Sequence, residues 1–150
     1  KFAPNLPIRR GDFCLMLYRA FQFPSDGAVS LFSDVPDGAY YAQAIRVLRS
    51  VGIVNGTGSN HFQPNANISR QDAAVMIQRT LRAAKISAPD GSASLLSAYS
   101  DGGSVAGYAQ GALACLIEQE MLPTSWTKLW PSYALTRADM AVLLHRAMTR

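Results

Sequence analysis

The sequence predicts an all-α protein built from tandem helix-loop-helix units, with only short extended segments. Three observations lead to this prediction. One block of residues occurs three times, apolar residues recur at helical spacing around it, and a Gly-rich polar loop precedes its best-formed copy. The chain of 150 residues has room for one domain, or for a few small units that share a core.

The repeated block covers residues 62–72 in the middle of the chain. Its Phe, Pro, Asn, Ile, Arg and Asp recur in register 60 residues earlier, over 2–12. A third and less similar copy covers 129–139, at an offset of 67 from the second. Because one offset that holds over so many positions is hard to obtain by chance, we interpret the chain as a series of repeated units.

The offset of 67 also relates residues upstream of the block. It pairs Phe32-Ser33-Asp34 with Tyr99-Ser100-Asp101, and it aligns Tyr41 with Tyr108. The predicted domain organisation is a second half-unit alone (1–23), a whole unit (31–85) and a degenerate whole unit (95–149), joined by linkers at 24–27 and 87–92 that are rich in Pro, Asp, Gly and Ser.

The first half of each unit is predicted to be an aromatic-Ser-Asp turn followed by an amphipathic helix. In the middle unit the residues at i, i+3, i+4 and i+7 are apolar and form one stripe: Tyr41, Ala44, Ile45 and Leu48. The helix is expected to end near Gly52. Because Tyr108 aligns with Tyr41, we expect Tyr108 to lie in the core as well. Asp34 and Asp101 are expected to cap the first helices.

A Gly-rich loop, 55–60, and an extended Phe-x-Pro segment lead into the second half, which is another amphipathic helix. This helix begins at Arg70 or Arg137, directly after Ser69 or Thr136, which resemble N-caps of capping boxes with Asp in place of Glu. Arg10 occupies the same position without a Ser or Thr before it. Because a lone helix pair of this size buries too little surface, we expect the units to pack around a shared core.

Composition excludes several functional classes. The net charge of +4 is small and is not gathered in one run, so a nucleic-acid partner is not favoured. No apolar run is long enough for a membrane span. Neither the two Cys nor the two His have metal-ligand spacing, so we predict no metal, no cofactor and no catalytic residue. The chain starts without an initiator Met, and we interpret it as a mature fragment or as a trimmed piece of a longer chain.

Cys14 and Cys115 leave two alternatives open. Buried free thiols are the default, but a disulfide becomes possible if the units close into a ring that brings the two helices together.

Taken together, the motifs resemble the S-layer homology domain family. The middle unit is similar along its whole length, and the third unit only in part, because Gln119 and Pro123 stand at the two glycine positions and Leu129 at the Phe position. The residues that carry the resemblance are Phe32-Ser33-Asp34-Val35, Tyr40-Tyr41-x-x-Ala44-Ile45, Gly52-Ile53-Val54-Asn55-Gly56, Phe62-x-Pro64 and Ile68-Ser69-Arg70-Gln71-Asp72.

This resemblance implies a non-catalytic anchor, folded as a pseudo-threefold helical spindle, that holds a bacterial surface protein on the cell wall. The implied partner is a secondary cell-wall polysaccharide, commonly one that bears pyruvate ketals, or a peptidoglycan-linked glycan. The implied location is extracellular, at the bacterial cell wall or cell surface. The family's arginine of the Thr-Arg-Ala-Glu motif maps to Arg10, Arg70 and Arg137.

The candidate glycan-binding residues follow from these positions. At Arg10, Arg70 and Arg137, a guanidinium would join unpaired backbone N–H groups and the helix dipole around a carboxylate, in a groove between units. Gly56 would let the backbone approach a sugar, and an aromatic side chain such as Tyr40, Tyr41 or Tyr108 would stack on one. Alternatively, each arginine pairs with the Asp that follows it, or braces a neighbouring unit.

A second function stays open at this point, namely a helical scaffold or self-association module whose glycan sites have decayed. The missing half-unit has either been lost from this fragment or is replaced by helices of a second chain. In the second case we expect a homo-oligomer, a dimer or trimer, to cover an exposed apolar face formed by Phe13, Leu17 and Phe21.

Overall fold

The computed structural model describes residues 3–24 and 29–150, and the protein is mainly helical, as predicted. Three short 3-10 helices, Ala93–Ala98, Gly102–Ser104 and Gly107–Ala109, lie between the third and fourth α-helices. Residues 1 and 2 of the first predicted unit, and 25–27 of the first predicted linker, lie outside the described residues. The α-helices are α1 (Arg10–Phe21), α2 (Ala42–Ser50), α3 (Arg70–Ala83), α4 (Gln110–Glu118) and α5 (Arg137–Met148).

The helices that begin at arginines form the centre of the molecule. α5 contacts both α1 and α3, while α2 lies against α1 and α4 lies against α3. The predicted stripe of α2 is buried, from Tyr41 to Leu48, and the three arginine-started helices contribute Leu17, Ile77 and Leu143 to the same core. The units therefore share one core, as expected from their small size.

The three segments that lead into α1, α3 and α5 are joined by a closed ring of backbone hydrogen bonds. Ile8 donates to Leu135 (2.9 Å), Leu135 donates to Ile68 (2.8 Å) and Ile68 donates to Ile8 (3.1 Å). All three side chains are buried. The ring relates the three helix starts by a pseudo-threefold axis, in agreement with the predicted arrangement.

The expectation of unpaired N–H groups at the helix starts is wrong, because the three segments also bond to one another there. The first N–H of each helix donates to a carbonyl of another segment: Arg10 to Ala66, Arg70 to Tyr133 and Arg137 to Leu6, at 2.8 to 2.9 Å. The second N–H of each helix does the same, from Gly11 to Pro64, from Gln71 to Pro131 and from Ala138 to Pro4. Because these donors are already satisfied, they are not available to a bound anion.

Asp34 and Asp101 do not cap the first helices, so that prediction is wrong. Asp34 accepts hydrogen bonds from the backbone N–H of Phe62 (2.8 Å) and of Gln63 (2.7 Å). Asp101 accepts the equivalent bonds from Leu129 and Trp130. The two-pronged carboxylate bends the Phe-x-Pro segment, whose middle residue has a left-handed φ of 57° at Gln63 instead of the expected extended one.

The predicted core position of Tyr108 is also wrong. α2 begins one residue after Tyr41, whereas α4 begins two residues after Tyr108, so the helices correspond at an offset of 68 and Tyr108 is equivalent to Tyr40. One residue turns a helical position by about 100°, which moves Tyr108 from the core to the surface, where it is 67% exposed. The same offset puts Glu120, with φ 56°, at the position of Gly52, with φ 83°.

The expected exposed face of α1 is covered by the chain itself. Phe13 and Leu17 are fully buried, and Phe21 is half-buried against the core, because α2 and α5 pack on this helix. An uncovered face exists instead on α5. Met148 is 54% exposed although the equivalent Leu81 of α3, which faces α4, is buried.

Cys14 in α1 and Cys115 in α4 are both free and buried, which confirms the default of the two alternatives. In the described part of the chain, no helix is long and apolar enough to cross a membrane.

Candidate functional site

The arginine that starts α1 pairs with an acidic residue of the following unit. The Arg10 guanidinium donates from Nε to the carbonyl of Phe62 (2.9 Å), and its Nη1 lies 3.4 Å from the Asp72 carboxylate. Its Cζ also lies 4.5 Å from the centre of the Phe62 ring. Arg10 therefore braces a neighbouring unit, which was the alternative interpretation from sequence, and it does so at the edge of an open groove.

Arg70 makes the equivalent ion pair, but in a closed setting. Its Nη2 lies 3.7 Å from Asp139, whose side chain is 10% exposed, whereas the side chain of Asp72 is 34% exposed. The guanidinium is covered by Trp126, with Cζ 4.0 Å from the ring centre, and by Trp130 at 5.5 Å. Burial lowers the pKa of Arg70, although nearby Asp139 and Asp101 oppose this effect.

Trp126 closes this second position in a specific way. Its indole Nε1 donates to the Asp139 carboxylate at 3.1 Å, and the residue is 7% exposed. A cavity of about 470 Å³ remains on its outer side, next to Leu122, Pro123 and Arg146. Neither Arg70 nor Asp139 lines that cavity, so a ligand there would not reach the ion pair.

The predicted residue Arg137 begins α5 after Thr136, where a complete capping box forms with Asp139. Its side chain is half-buried, and it lines neither the open groove beside Arg10 nor the cavities beside Trp126 and Phe23.

The open position is a groove of about 390 Å³, which we call the Arg10 groove. One wall is the loop that follows α2, the other is the outer face of α3, and Tyr108 stands at one end. It is lined by Arg10, Ile53, Val54, Asn55, Gly56, Thr57, Phe62, Asp72, Val75, Met76, Arg79 and Tyr108.

Gly56 is required by the shape of this groove. Its φ is 88°, and a Cβ at this position would lie 2.6 Å from a ring carbon of Phe32 and 2.8 Å from the carbonyl oxygen of His61. Glycine therefore allows the loop to close against Phe32, because any side chain would be strained and would overlap with it. The predicted residue Gly56 does line the groove.

The exposed residues Tyr108 and Tyr40 occupy equivalent places in their units, but only Tyr108 lines the Arg10 groove. The Tyr108 hydroxyl donates to Asp72 at 2.5 Å, and the Tyr40 hydroxyl donates to Asp12. Desolvation, together with the hydrogen bond to Asp72, raises the pKa of Tyr108 to about 12, and the hydrogen bond to Asp12 raises the pKa of Tyr40. Tyr40 is 68% exposed but does not line the Arg10 groove.

Sequence reasoning favoured the core for Tyr108 over a contact with sugar, and it missed Arg79 as a groove residue. Tyr108 was misplaced by one residue of register. Arg79 had a usable signal, because an arginine stands nine positions after each helix-starting arginine, at Arg19, Arg79 and Arg146. Only a structure tells which of these positions opens into a groove, since that depends on residues from three separate segments.

The sequence of residues 31–74 matches the S-layer homology domain. These residues form an S-layer homology domain. The domain supplies the loop wall of the Arg10 groove, from Ile53 to Phe62, and Asp72 on the opposite wall, while Arg10, Arg79 and Tyr108 lie outside the matched segment.

Several proteins share sequence with part of the chain. Over 85 residues, or 54% of the chain, it is 32% identical to the surface-layer 125 kDa protein of Lysinibacillus sphaericus, of which 7% is covered. An amylopullulanase of Thermoanaerobacterium thermosulfurigenes is 32% identical over 79 residues, with 53% of the chain and 4% of the enzyme covered. An endoglucanase of Bacillus sp. (strain KSM-635) is 29% identical over 114 residues, with 75% and 12% covered. The chain thus spans only a small part of these relatives.

Proposed function

We propose that this chain is a non-catalytic module that anchors a bacterial protein to the cell wall by binding a cell-wall polysaccharide in the Arg10 groove. The observation that carries the proposal is the open groove beside the S-layer homology domain, which joins two arginines, a carboxylate, an exposed tyrosine and a glycine-shaped loop. A surface-layer protein among the relatives supports a place at the cell surface.

The proposal assigns different roles to the predicted residues. Arg10 and Gly56 shape the groove that holds the polysaccharide. Arg70 and Arg137 hold units together, because Arg70 is covered by Trp126 and the first N–H groups at both positions are bonded within the protein. We expect one polysaccharide site per chain, whether or not the polymer is pyruvylated.

Tyr108 and Tyr40 provide a matched pair for the test. Both are about equally exposed and both donate to an Asp that follows a helix-starting arginine, but only Tyr108 lines the groove. Wild type, Tyr108→Ala and Tyr40→Ala are sedimented with sacculi from Lysinibacillus sphaericus, Thermoanaerobacterium thermosulfurigenes and Bacillus sp. KSM-635. Each preparation is used with its secondary polysaccharide and after its removal by hydrofluoric acid.

We expect wild type and Tyr40→Ala to sediment with at least one intact preparation, and Tyr108→Ala to be retained much less. Retention by stripped sacculi would identify peptidoglycan as the partner instead. Failure of wild type to sediment with any preparation overturns the anchoring function, and equal loss for both tyrosine variants overturns the choice of groove.

Self-association is a second candidate function, favoured by the uncovered face of α5. Ala141, His145 and Met148 are exposed there, whereas the equivalent Ala74, Gln78 and Leu81 of α3 are buried against α4. Light scattering during size-exclusion chromatography measures the mass directly. A dimer that Met148→Glu dissociates supports this function, and a monomer at high protein concentration excludes it.

A further inference from the structure

The cation in the Arg10 groove that remains available to a ligand is not the motif arginine. Arg10 is 8% exposed, and its guanidinium is already bonded to the Phe62 carbonyl and paired with Asp72. A charge that is paired and hydrogen-bonded in a buried position gains little by changing partner, because the Asp would be left unpaired. The charge balance of the groove therefore leaves one arginine over, namely Arg79.

Arg79 faces the groove because of its place on α3. Asp72, Val75, Met76 and Arg79 fall at i, i+3, i+4 and i+7, and all four line the groove. The helix thus presents one continuous stripe to a ligand, with a carboxylate that is already paired at its start and a guanidinium at the other end.

The contacts of Arg79 are made to uncharged groups. Nη1 lies 3.4 Å from the carbonyl of Ile53 and 3.1 Å from the side-chain oxygen of Asn55, in the amide orientation that satisfies both groups of Asn55. Among the residues that the structure describes, the ion pairs do not include Arg79. An anion in the groove would add a charge-assisted bond without breaking a buried ion pair.

The equivalent arginines are placed differently. Arg146 of α5 donates to the carbonyls of Leu122 and Glu120, beside the cavity that Trp126 separates from the Arg70–Asp139 pair. Arg19 of α1 lines a shallow cavity with Tyr18, Gln22 and Phe23, without a glycine loop opposite. Of these three arginines, Arg79 alone stands in a cavity that is also lined by a glycine of the opposite loop, Gly56.

Resting on the proposed anchoring function, we propose that Arg79, and not Arg10 or Arg70, contacts an acidic group of the bound polysaccharide. The group is a carboxylate or a phosphate, since the guanidinium fork fits either. Arg79 is then the residue that selects acidic over neutral cell-wall polymers, while Arg10 keeps the groove in shape through Phe62 and Asp72.

The test compares Arg79→Gln with Arg146→Gln, the same change at the equivalent position of α5. Glutamine removes the charge, keeps an amide N–H donor and shortens the side chain equally in both variants. Sedimentation with intact sacculi, at several protein concentrations, gives apparent affinities, and thermal unfolding of both variants reports on the fold. A second arm uses sacculi whose carboxyl groups have been amidated with carbodiimide and ethanolamine, which leaves phosphodiesters intact.

We expect Arg79→Gln to lose about tenfold or more in apparent affinity with its melting temperature unchanged, and Arg146→Gln to bind as wild type. If amidation weakens wild type to the level of Arg79→Gln, the acidic group is a carboxylate. If amidation has no effect while Arg79→Gln still binds weakly, the group is a phosphate. If Arg79→Gln binds as tightly as wild type in an assay where Tyr108→Ala does not bind, this inference is overturned and the anchoring function is not. If the wild-type protein does not bind at all, both are overturned.

Discussion

The indole ring of Trp126 covers the guanidinium of Arg70, with the ring centre 4.0 Å from Cζ. At the equivalent place beside Arg10 the groove is open, and the Asp72 carboxylate takes its second bond from Tyr108 of another unit. Trp126 supplies that second donor from its own unit, through Nε1 to Asp139. The sites at Arg10 and Arg70, which share the helix-starting arginine, thus differ because only the Arg70 site has a tryptophan, Trp126, over the guanidinium.

Replacement of Trp126 tests this cover. Trp126→Ala removes a 7% exposed ring and a donor to a buried carboxylate, and we expect a loss of about 3 to 5 kcal/mol in the free energy of unfolding. Urea denaturation measures it. Trp130→Ala is the control, because Trp130 is half-buried and lies 5.5 Å from Arg70. If Trp126→Ala loses no more free energy of unfolding than Trp130→Ala, the role of Trp126 as the cover of Arg70 is contradicted.

Removal of the Arg10 charge should destabilise the fold. Arg10→Met keeps most of the volume but leaves the Phe62 carbonyl and Asp72 without their partner, at an expected cost of about 2 kcal/mol because Asp72 is partly solvated. Arg46→Met is the control, since Arg46 pairs with Asp37, whose side chain is 91% exposed, and should change stability little. Equal midpoints in urea for the two variants would argue against a bracing role.

Substitution of Gly56 tests the shape of the groove loop. Gly56→Ala combines a left-handed φ of 88° with a Cβ 2.6 Å from Phe32, and we expect it to cost about 2 to 4 kcal/mol. Gly103→Ala meets no atom within 4 Å and should lie within about 0.5 kcal/mol of wild type. Thermal unfolding compares the two, and a neutral Gly56→Ala would refute the steric requirement.

The Asp34 carboxylate accepts the backbone N–H groups of Phe62 and Gln63, an arrangement that we call the Asp34 clamp. This clamp should make the free energy of unfolding depend on pH. Burial raises the pKa of the Asp34 carboxyl, but the backbone N–H bonds from Phe62 and Gln63 outweigh this and hold the pKa below its usual 3.8. A folded pKa below the unfolded one stabilises the protein above pH ~4, and this stabilisation is lost as the pH falls through the folded pKa. Asp34→Asn should therefore be less stable at pH 7, and the difference from wild type should shrink below pH 4.

The control for the clamp is Asp37→Asn, at an exposed carboxylate. Chemical denaturation from pH 7 to pH 2 follows both variants. A difference between Asp34→Asn and wild type that stays constant over this range would mean that the carboxylate charge does not act on Phe62 and Gln63.

Local patterns explain which predictions from sequence are confirmed. The helical stripes, the helix starts at Arg70 and Arg137 and the cap at Ser69 depend on residues within one or two turns, so they can be read from spacing. The position of Tyr108 could not be read in this way, because the extra residue lies in a region of short 3-10 helices without periodicity. The role of Asp34 depends on a partner 28 residues away, and a local capping rule assigned it to the nearest helix instead.

The amino-acid sequence by itself determined the helical units, their recurrence and the position of each arginine at the start of a helix, because these follow from side-chain periodicity and local capping. Only the tertiary structure decided which arginine meets an open groove. Arg10, Asp72 and Tyr108 come from three separate segments, and whether Tyr108 or Trp126 completes the carboxylate depends on how those segments pack. That choice leaves Arg79 facing the Arg10 groove and the half-buried Arg70 covered by a tryptophan.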